Sequence, residues 1–420
     1  MQSTQSNLKY NIVVNLLDGG FFGLAIGLAS FTTFLPLFVA TMTNSAILIG
    51  LVPAIHNMGW LLPQLFMSKN ISRRPLVKPV LLAYIIHERL PFLGLAAVAF
   101  LVPIIGTPAA LVLTFLFLIW QGIGAGLTAN PWQNLIGKVI PADYLATFLG
   151  LQAALSNLLS SGGAILAGYL LEETPGTNGF GISFLLASLF MFSSWFFLGR
   201  NRESPSAHAI DANQEISLWQ TIRVIFEQNR PFVWFLLARG LYCLGMMAFA
   251  YYIVYAVREL NLSELEAGVM TSVLLITQMV ANILLGRLAD KWSRKGVIEL
   301  GAVASVASCL LAWWAPNTGW FYLVTVLEGI AIIAFWTISI PILLEFGPEN
   351  QRPTYVGLGN TLVAPFALLS PFLGGWLADN VSYPMTFLVS AVLGLVAVLV
   401  LHFQVEVPRP FKEPFPVEIV

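Results

Sequence analysis

Charge is scarce in this chain of 420 residues, since Asp, Glu, Lys and Arg make up only 10% of it against 57% hydrophobic residues. A soluble domain of this length needs far more charge to stay dispersed, so the composition excludes a water-soluble globular protein. The net charge is −1, which predicts neither a nucleic-acid nor an acidic protein partner. We therefore expect an integral membrane protein whose surroundings are the lipid bilayer.

Cysteine and histidine are also scarce, and this limits the available chemistry. Cys243 and Cys309 fall in apolar segments, so we expect neither a disulfide framework nor a zinc site. The four histidines are scattered, and the sequence has no HExxH metal motif and no GxxxxGK[ST] phosphate loop. The sequence thus predicts no metal, no cofactor and no catalytic residues, and the chain is expected not to be an enzyme.

Long apolar runs dominate the rest of the chain. A membrane-spanning helix needs about 20 consecutive apolar residues, and the sequence supplies twelve such stretches. The predicted spans are 13–40, 46–68, 86–105, 108–134, 145–171, 180–198, 232–257, 266–286, 296–315, 319–343, 354–378 and 384–403. This pattern predicts an all-α integral membrane protein.

The chain also repeats itself. A shift of 207 residues aligns Glu172 with Asp379 without a gap in the surrounding helix, and a shift of 221 aligns Asp18 with Arg239. Two six-helix halves of the same orientation are therefore expected. The predicted divisions are an N-terminal half at 1–198, a cytoplasmic linker with an amphipathic helix at 199–231, a C-terminal half at 232–403 and a cytoplasmic tail at 404–420.

The lysines and arginines fall almost entirely on one side of the predicted topology. Of the 20, only Arg258 lies on a loop of the other side and only Arg239 lies deep inside a helix. Cytoplasmic loops carry the excess of Lys and Arg, so both termini are predicted to be cytoplasmic, in the cell membrane. The inner set is Lys9, Lys69, Arg73, Arg74, Lys78, Arg89, Lys138, Arg200, Arg202, Arg223, Arg230, Arg287, Lys291, Arg294, Lys295, Arg352, Arg409 and Lys412.

One charged stretch, GRLADKWSRKG at 286–296, resembles a loop motif of the major facilitator superfamily (MFS) of secondary transporters. Gly286, Asp290, Arg294 and Lys295 match the G-x-L-A-D-R-x-G-R-K pattern, and Ser293 stands in place of a glycine. With the twelve spans and the repeat, the resemblance covers essentially the whole chain. It implies the MFS fold, twelve helices in two six-helix pseudo-symmetric halves, and a cytoplasmic gate at these matching residues in which the aspartate caps a neighbouring helix.

Two further family motifs are altered. LIWQGIGAG in the fourth span resembles the R-x-x-Q-G-x-G-A pattern, but Leu118 replaces the arginine that the family links to proton transfer. GAILAG at 163–168 resembles an antiporter pattern, with Ala164 in place of proline. These departures weaken an assignment to the proton-driven drug antiporters without weakening the fold.

Ionisable residues inside the spans are the first site candidates, since each costs ~2.5–3.5 kcal/mol on insertion scales and usually faces a cavity or a partner. Asp18, Arg239 and Glu328 are the clearest cases, and the resemblance places them, with Gln121, on the four helices around the family's central cavity. Asp18 and Arg239 either form a structural ion pair or act on substrate or gate. Glu328 is either a proton-coupling carboxylate or a protonated side chain held in a permanent hydrogen bond.

Weaker candidates complete the predicted set. His56 is either cavity-exposed in a proline-broken helix or a hydrogen-bonded packing residue. Asn130, Trp336 and Asn360 could shape a pocket, although tryptophans near helix ends often anchor at the interface. The charged triplet at 87–89 is interpreted as part of an interfacial segment, with a buried triplet as the alternative.

The sequence as a whole predicts a secondary active transporter that moves a small organic solute by alternating access, with protons as the candidate coupling ion. The alternative is a transport-inactive membrane sensor or assembly partner of the same fold. A monomer is expected. The solute itself is not predicted, because this type of fold hosts many solutes.

Overall fold

The computed structural model describes residues 2–61, 75–205, 223, 226–227, 229–346 and 352–406, and the regular structure in these ranges is helical throughout. The α-helices are α1 Gln2–Leu28, α2 Phe34–Met42, α3 Ala46–Leu61, α4 Lys78–Tyr84, α5 Ile86–Ile105, α6 Thr107–Val139, α7 Ala142–Glu173, α8 Asn178–Gly199, α9 Arg230–Gly245, α10 Tyr252–Glu259, α11 Glu264–Lys291, α12 Arg294–Trp314, α13 Trp320–Ile333, α14 Ser339–Glu345, α15 Arg352–Thr361, α16 Ala364–Asn380 and α17 Tyr383–Gln404. Most of the predicted linker and its amphipathic helix lies outside the described residues.

The predicted membrane architecture is confirmed. Within the described residues, eleven helical stretches are long and apolar enough to cross a bilayer, and a shorter apolar helix at Ala46–Trp60 occupies the place of the second predicted span. Large apolar side chains point away from the bundle, as at Ile104, which is 78% exposed, and Phe403, which is 72% exposed. A surface of this kind is stable in contact with lipid, and the chain is a multi-pass membrane protein.

Four of the predicted spans are interrupted: the first, the seventh, the tenth at a π-helical segment, Ala334–Ile338, and the eleventh between Thr361 and Ala364. The first, expected to be continuous over 13–40, ends at Leu28 and resumes at Phe34, and the hydroxyl of Ser30 accepts a hydrogen bond from the Thr32 amide in the gap. The seventh passes through a 3₁₀ segment, Met247–Tyr251, between α9 and α10. Sequence hydropathy cannot detect these breaks because the residues in them remain apolar or weakly polar. Irregular backbone at membrane depth is tolerated where it is buried in protein or lines a cavity.

The two halves repeat the same packing. In the N-terminal half α1 packs on α7 and α8, α5 packs on α6 and α8, and α3 packs on α6. In the C-terminal half α9 packs on α16 and α17, α12 packs on α13 and α17, and α11 packs on α13. Each pair in one list has its equivalent in the other, as expected from the internal repeat.

The helix starts follow from local sequence. Ser263 and Glu266 form a capping box at the start of α11, where the serine hydroxyl accepts the amide of residue 266 and the glutamate accepts the amide of residue 263. Ser293 and Ser382 cap α12 and α17 in the simpler way, each accepting an amide three residues on. These caps fix where each span enters the membrane.

The halves meet along two seams, α3 against α16 and α7 against α11. We call the face at which α1 begins and α17 ends the terminal face, and the other membrane face the opposite face. Gly168 and Gly375 lie at the seams near the opposite face: a Cβ at Gly168 would lie 2.7 Å from the Glu264 carbonyl oxygen, and one at Gly375 would lie 2.6 Å from the Ile47 amide nitrogen. The backbones can approach this closely only because both residues lack a side chain.

The first prediction concerns this close approach. Gly168→Val should force the halves apart near the opposite face, because the clash is with backbone that cannot rotate away. The readout is labelling of a cysteine introduced at Ser161, which is 5% exposed, by a membrane-impermeant maleimide added at the opposite face. We expect faster labelling in the Gly168→Val background.

Gly162→Val is the matched control, because a Cβ at this position on the same helix meets nothing within 4 Å. It should leave the labelling rate at the parent value. Equal rates in the Gly168→Val and Gly162→Val backgrounds would show that the seam does not hold the opposite face closed.

Candidate functional site

A cavity of about 470 Å³ lies in the N-terminal half. Helices α1, α3, α5, α6 and α7 form its walls, and a cavity of this size accommodates a small organic molecule. Its charged, polar and aromatic lining consists of Asp18, Phe22, Trp60, Glu88, Arg89, Thr128, Trp132, Gln133, Gln152 and Ser156.

Asp18 lines this cavity, as the sequence suggested, but its partner is not the predicted one. Its carboxylate lies 3.8 Å from Arg89 Nη2 and accepts a short hydrogen bond from the hydroxyl of Ser194. Arg239 instead donates to the carbonyl of Gly359 at 3.0 Å. The alternative of an ion pair between Asp18 and Arg239 is therefore wrong, because the guanidinium beside Asp18 is that of Arg89, from the same half.

Arg89 is the main residue that sequence reasoning misplaced. It is 3% exposed, so its assignment to an interfacial segment, and to the inner loop cations, is wrong. The helix that carries it, α5, begins at Ile86 as predicted, but α4 precedes it directly and the two form one membrane span, Lys78–Ile105, so the charged triplet lies inside the span. The repeat alignment missed this because it placed the edge of the membrane span at the start of α5.

The guanidinium of Arg89 has weak partners. Nη1 donates to the thioether sulfur of Met191 at 2.8 Å, the ring of Phe22 lies 4.9 Å from Cζ, and Nε has no hydrogen-bond partner within the described residues. Sulfur is a poor acceptor and 3.8 Å is long for an ion pair with Asp18. Arg89 can therefore donate a further hydrogen bond to an oxygen atom of a molecule in the cavity.

The other two members of the triplet have different environments. Glu88 is 8% exposed, lines the cavity and accepts a hydrogen bond from Thr128 Oγ1 at 2.9 Å. His87 is exposed and accepts from Trp120 Nε1 at 3.1 Å. The cavity thus holds two carboxylates, those of Asp18 and Glu88, against one guanidinium.

Three predicted residues gather in a separate cluster of the C-terminal half. The Arg239 guanidinium lies 5.2 Å from the ring centre of Phe335, Trp336 packs edge-on against that ring, and Asn360 follows the carbonyl that Arg239 binds. Trp336 sits in a π-helical turn, Ala334–Ile338. These residues do not line the large cavity.

The remaining neutral candidates are engaged in local contacts. His56 Nδ1 lies 3.0 Å from Gln121 Oε1, and its ring stacks on Phe31 with ring centres 3.8 Å apart. Asn130 accepts two hydrogen bonds from Asn134 Nδ2, through its carbonyl oxygen at 2.9 Å and its side-chain oxygen at 2.7 Å. His56 and Gln121 thus join α3 to α6, and the histidine contributes to packing.

Glu328 lies in a second, much smaller pocket between the halves. The side chain is 3% exposed, and it lines a space of about 10 Å³ together with Thr32, Thr33, Thr271 and Thr325. Among the described residues it has no hydrogen bond and no ion pair, in contrast to Asp18 and Glu88. The alternative of a glutamate held in a permanent hydrogen bond finds no such partner in the described structure.

Two charged residues that the sequence analysis did not select close the opposite face. Asp379, at the end of α16, accepts hydrogen bonds from the Ser45 hydroxyl at 2.8 Å and the Ile47 amide at 3.1 Å, and it also accepts the Ala46 amide, so it caps α3 of the other half. Arg258 donates to the carbonyl of Thr43 at 2.7 Å. Arg258 was visible in the sequence as the lone cation on its side of the membrane.

The terminal-face motif is only partly described. Arg294 pairs with Glu345, and Lys295 Nζ donates to the carbonyl of His402 at 2.9 Å, so both cations bind within the C-terminal half. Burial raises the pKa of the Glu345 carboxyl, and the Arg294 guanidinium opposes that rise. Gly286 lies one turn before Asp290, whose side chain is outside the described residues, so the predicted aspartate cap stays a prediction.

Solved structures with the same architecture cover almost the whole chain. A D-xylose-proton symporter superposes with a TM-score of 0.70 over 96% of this chain and 98% of its own, at 16% identity. A bacterial homologue of the iron transporter ferroportin in an inward-facing state superposes with a TM-score of 0.70 over 95% of this chain and 98% of its own, at 14% identity. These likenesses establish the fold, an all-α membrane bundle of two six-helix pseudo-symmetric halves.

The sequence points to the same family. Residues 235–418 match the family model of the Major Facilitator Superfamily. This match covers most of the C-terminal half, so that part of the chain is similar to the major facilitator superfamily, in agreement with the loop motif and with the fold of the whole chain.

Curated relatives align with part of the chain. The multidrug resistance protein MdtL of Klebsiella pneumoniae (strain 342) is 26% identical over 157 residues, which are 37% of this chain and 40% of that protein. The MFS thioclapurine efflux transporter tcpA of Claviceps purpurea (strain 20.1) is 23% identical over 143 residues, which are 34% of this chain and 26% of that protein. The chain therefore aligns with well under half the length of these relatives.

The second prediction tests the pair of Asp18 with Arg89. Arg89→Met leaves the carboxylate of Asp18 buried without a cation, and breaking one partner of a buried pair costs about 3–5 kcal/mol. We expect a clear loss of thermal stability in detergent. The double variant Asp18→Asn with Arg89→Met should recover part of that loss, because neither charge is then unpaired.

Arg200→Met is the matched control, since Arg200 is an exposed arginine of the same half. It should shift the stability by no more than about 0.5 kcal/mol. A double variant that loses the full sum of its two single changes would contradict the pairing.

Proposed function

We propose that this protein is a secondary active transporter that moves a small organic solute across the membrane by alternating access. The observation that supports this most is the cavity of about 470 Å³ with two buried carboxylates and a buried guanidinium in its wall. Charges at membrane depth are expensive and usually mark a solute or ion path. Similarity to a superfamily of transporters supports the same conclusion.

The contacts between the two halves indicate which face of the bundle is closed. The hydrogen bonds that join the two halves within the described residues all lie toward the opposite face, as for Arg258 with Thr43, Asp379 with Ile47, and Ser272 with Ser161. The structure thus represents a state closed at the opposite face. Rocking of one half against the other would break these contacts and close the terminal face instead.

The terminal face is the proposed cytoplasmic side of a cell membrane. Lys138, Arg200, Arg202 and Lys291 are among the described cations at helix ends on this face, whereas Arg258 lies at the opposite face. The positive-inside rule favours this orientation. The described state is then inward-facing.

The cavity indicates some features of the solute. The indole side chains of Trp60 and Trp132 provide apolar surface, while Glu88 and Arg89 provide polar contacts near each other. A small molecule with an apolar body and at least one charged or hydrogen-bonding group fits this lining. The walls of this cavity come from a single chain, which is consistent with a monomer as the working unit.

We further propose that transport is coupled to protons through Glu328. Glu328 is a buried carboxyl at membrane depth with no partner among the described residues, and ionisable groups at this depth often form proton paths in transporters. The arginine that the family associates with proton transfer in the fourth span is replaced here by Leu118, which is buried and apolar. Glu328 is the ionisable side chain of α13 best placed to take over that role.

The test begins with a flux screen of small solutes in proteoliposomes, with and without a pH gradient. A chain that carries no solute under either condition would favour the sensor or assembly partner instead. For a solute that is carried, the screen sets the baseline for variants.

The third prediction concerns Glu328→Gln in this assay. The variant should lose pH-driven accumulation while it keeps solute exchange, because exchange requires no net proton movement. Glu173→Gln, a change of an exposed glutamate near the opposite face, is the control and should retain both activities. Accumulation at the parent level in Glu328→Gln would show that this residue does not carry the proton.

A further inference from the structure

The small pocket around Glu328 lies where the first and seventh spans are interrupted. Thr32 and Thr33 come from the gap between α1 and α2, and Phe249 comes from the 3₁₀ segment between α9 and α10. Thr271 of α11, Thr325 of α13 and Glu328 provide the rest of the polar lining. The pocket shares no lining residue with the large cavity, so it is a separate site.

The hydroxyl protons of three of the four threonines in this pocket are already used. Thr325 Oγ1 donates to the carbonyl of Tyr322 at 2.9 Å, and Thr271 Oγ1 donates to the carbonyl of Ala267 at 2.9 Å. Thr33 Oγ1 lies 2.6 Å from Thr271 Oγ1, and since a hydroxyl has one proton, Thr33 must be the donor in that bond. These three threonines therefore present oxygen lone pairs rather than donors to the pocket.

The carboxylate of Glu328 adds further lone pairs and a negative charge. It has no hydrogen-bond or ion-pair partner among the described residues, and no lysine or arginine lines the pocket. A space of about 10 Å³ is close to the room that one water molecule needs. Carboxylate and hydroxyl oxygens around so small a space suit a single hard cation, and one carboxylate balances one positive charge.

We propose that this pocket binds one sodium ion between the Glu328 carboxylate and the hydroxyl oxygens of Thr33 and Thr325. The ion joins the two halves, because Thr33 belongs to the first half and Glu328 to the second. It therefore stabilises the state that is closed at the opposite face. Sodium and a proton compete for Glu328, since a protonated carboxyl has no charge to balance.

Because sodium and a proton compete for Glu328, stabilisation of the protein by sodium should increase as the pH rises. The titratable side chains near enough to sense the Glu328 charge are Tyr252 of α10 and Cys309 of α12, which are hydrogen-bonded to each other at 3.2 Å. Both are neutral in their ordinary protonation states. Titration of Glu328 is thus the source of the expected pH dependence.

The fourth prediction is measured as thermal stability of the purified full chain in detergent. Sodium chloride is compared with potassium chloride and choline chloride at equal ionic strength, at about pH 8.5 and about pH 5.5. We expect sodium to raise the Tm by about 2 °C or more at the higher pH, and by less at the lower pH. Sodium should also slow maleimide labelling of the cysteine introduced at Ser161.

Three variants locate the ion. Glu328→Gln and Thr325→Val each remove a ligand and should abolish the difference between sodium and choline. Thr114→Val is the matched control, because Thr114 is a buried threonine whose hydroxyl likewise donates to a carbonyl of its own helix, that of Ala110, but it lines neither pocket. It should keep the full sodium effect even if its own Tm is lower.

The outcomes separate this inference from the proposed function. An equal rise in all three salts, or a sodium effect that survives in both Glu328→Gln and Thr325→Val, would overturn the sodium site. A pH effect with no difference between sodium and choline would leave the proton alone at Glu328 and would also overturn it. A chain that binds sodium but carries no solute would keep the site and contradict transport.

Discussion

The absence of water within a lipid-embedded bundle is the constraint on which this structure depends, because each ionisable group at membrane depth must find a partner or remain costly. The carboxylate of Asp18 has Arg89 and Ser194 as partners, and the carboxylate of Glu88 accepts a hydrogen bond from Thr128. The guanidinium of Arg89 is only partly satisfied, because one nitrogen donates to a sulfur and Nε has no partner among the described residues. Glu328 has no partner among the described residues. Arg89 and Glu328, which satisfy the constraint incompletely, line the two pockets, whereas Arg239, whose Nε also has no partner among the described residues, lines neither.

The same constraint explains how the halves are held. Apolar helices in lipid gain little from hydrophobic burial against each other, so close backbone contact and hydrogen bonds provide the association. The seams use both: Gly168 and Gly375 admit backbone contact, and Asp379 caps a helix of the other half. Contacts of this kind can be broken and remade as units, which suits a bundle with two alternative arrangements. The larger cavity lies within one half, whereas the small pocket needs both halves.

The fold could be predicted from the sequence because its signals are long and repeated: apolar runs, a loop motif and an internal shift that aligns Glu172 with Asp379. The site could be predicted only in part. Asp18 and Glu328 were identified because charge within an apolar run is conspicuous, but their partners depend on which helices touch. Arg89 was misplaced because the membrane span was taken to begin at 86, whereas α4 extends it to Lys78. Thr33 and Thr271 carry no sequence signal, since hydroxyls are common in membrane helices.

The most direct test of alternating access is a pair of spin-label distances in one reconstituted protein. One pair, at Glu173 and Asn317, spans the halves at the opposite face, and the other, at Gly137 and Lys291, spans them at the terminal face; all four positions are exposed. A change of pH or addition of a transported solute should lengthen the first distance and shorten the second together. Unchanged distances at both faces, or two distances that lengthen together, would contradict the account.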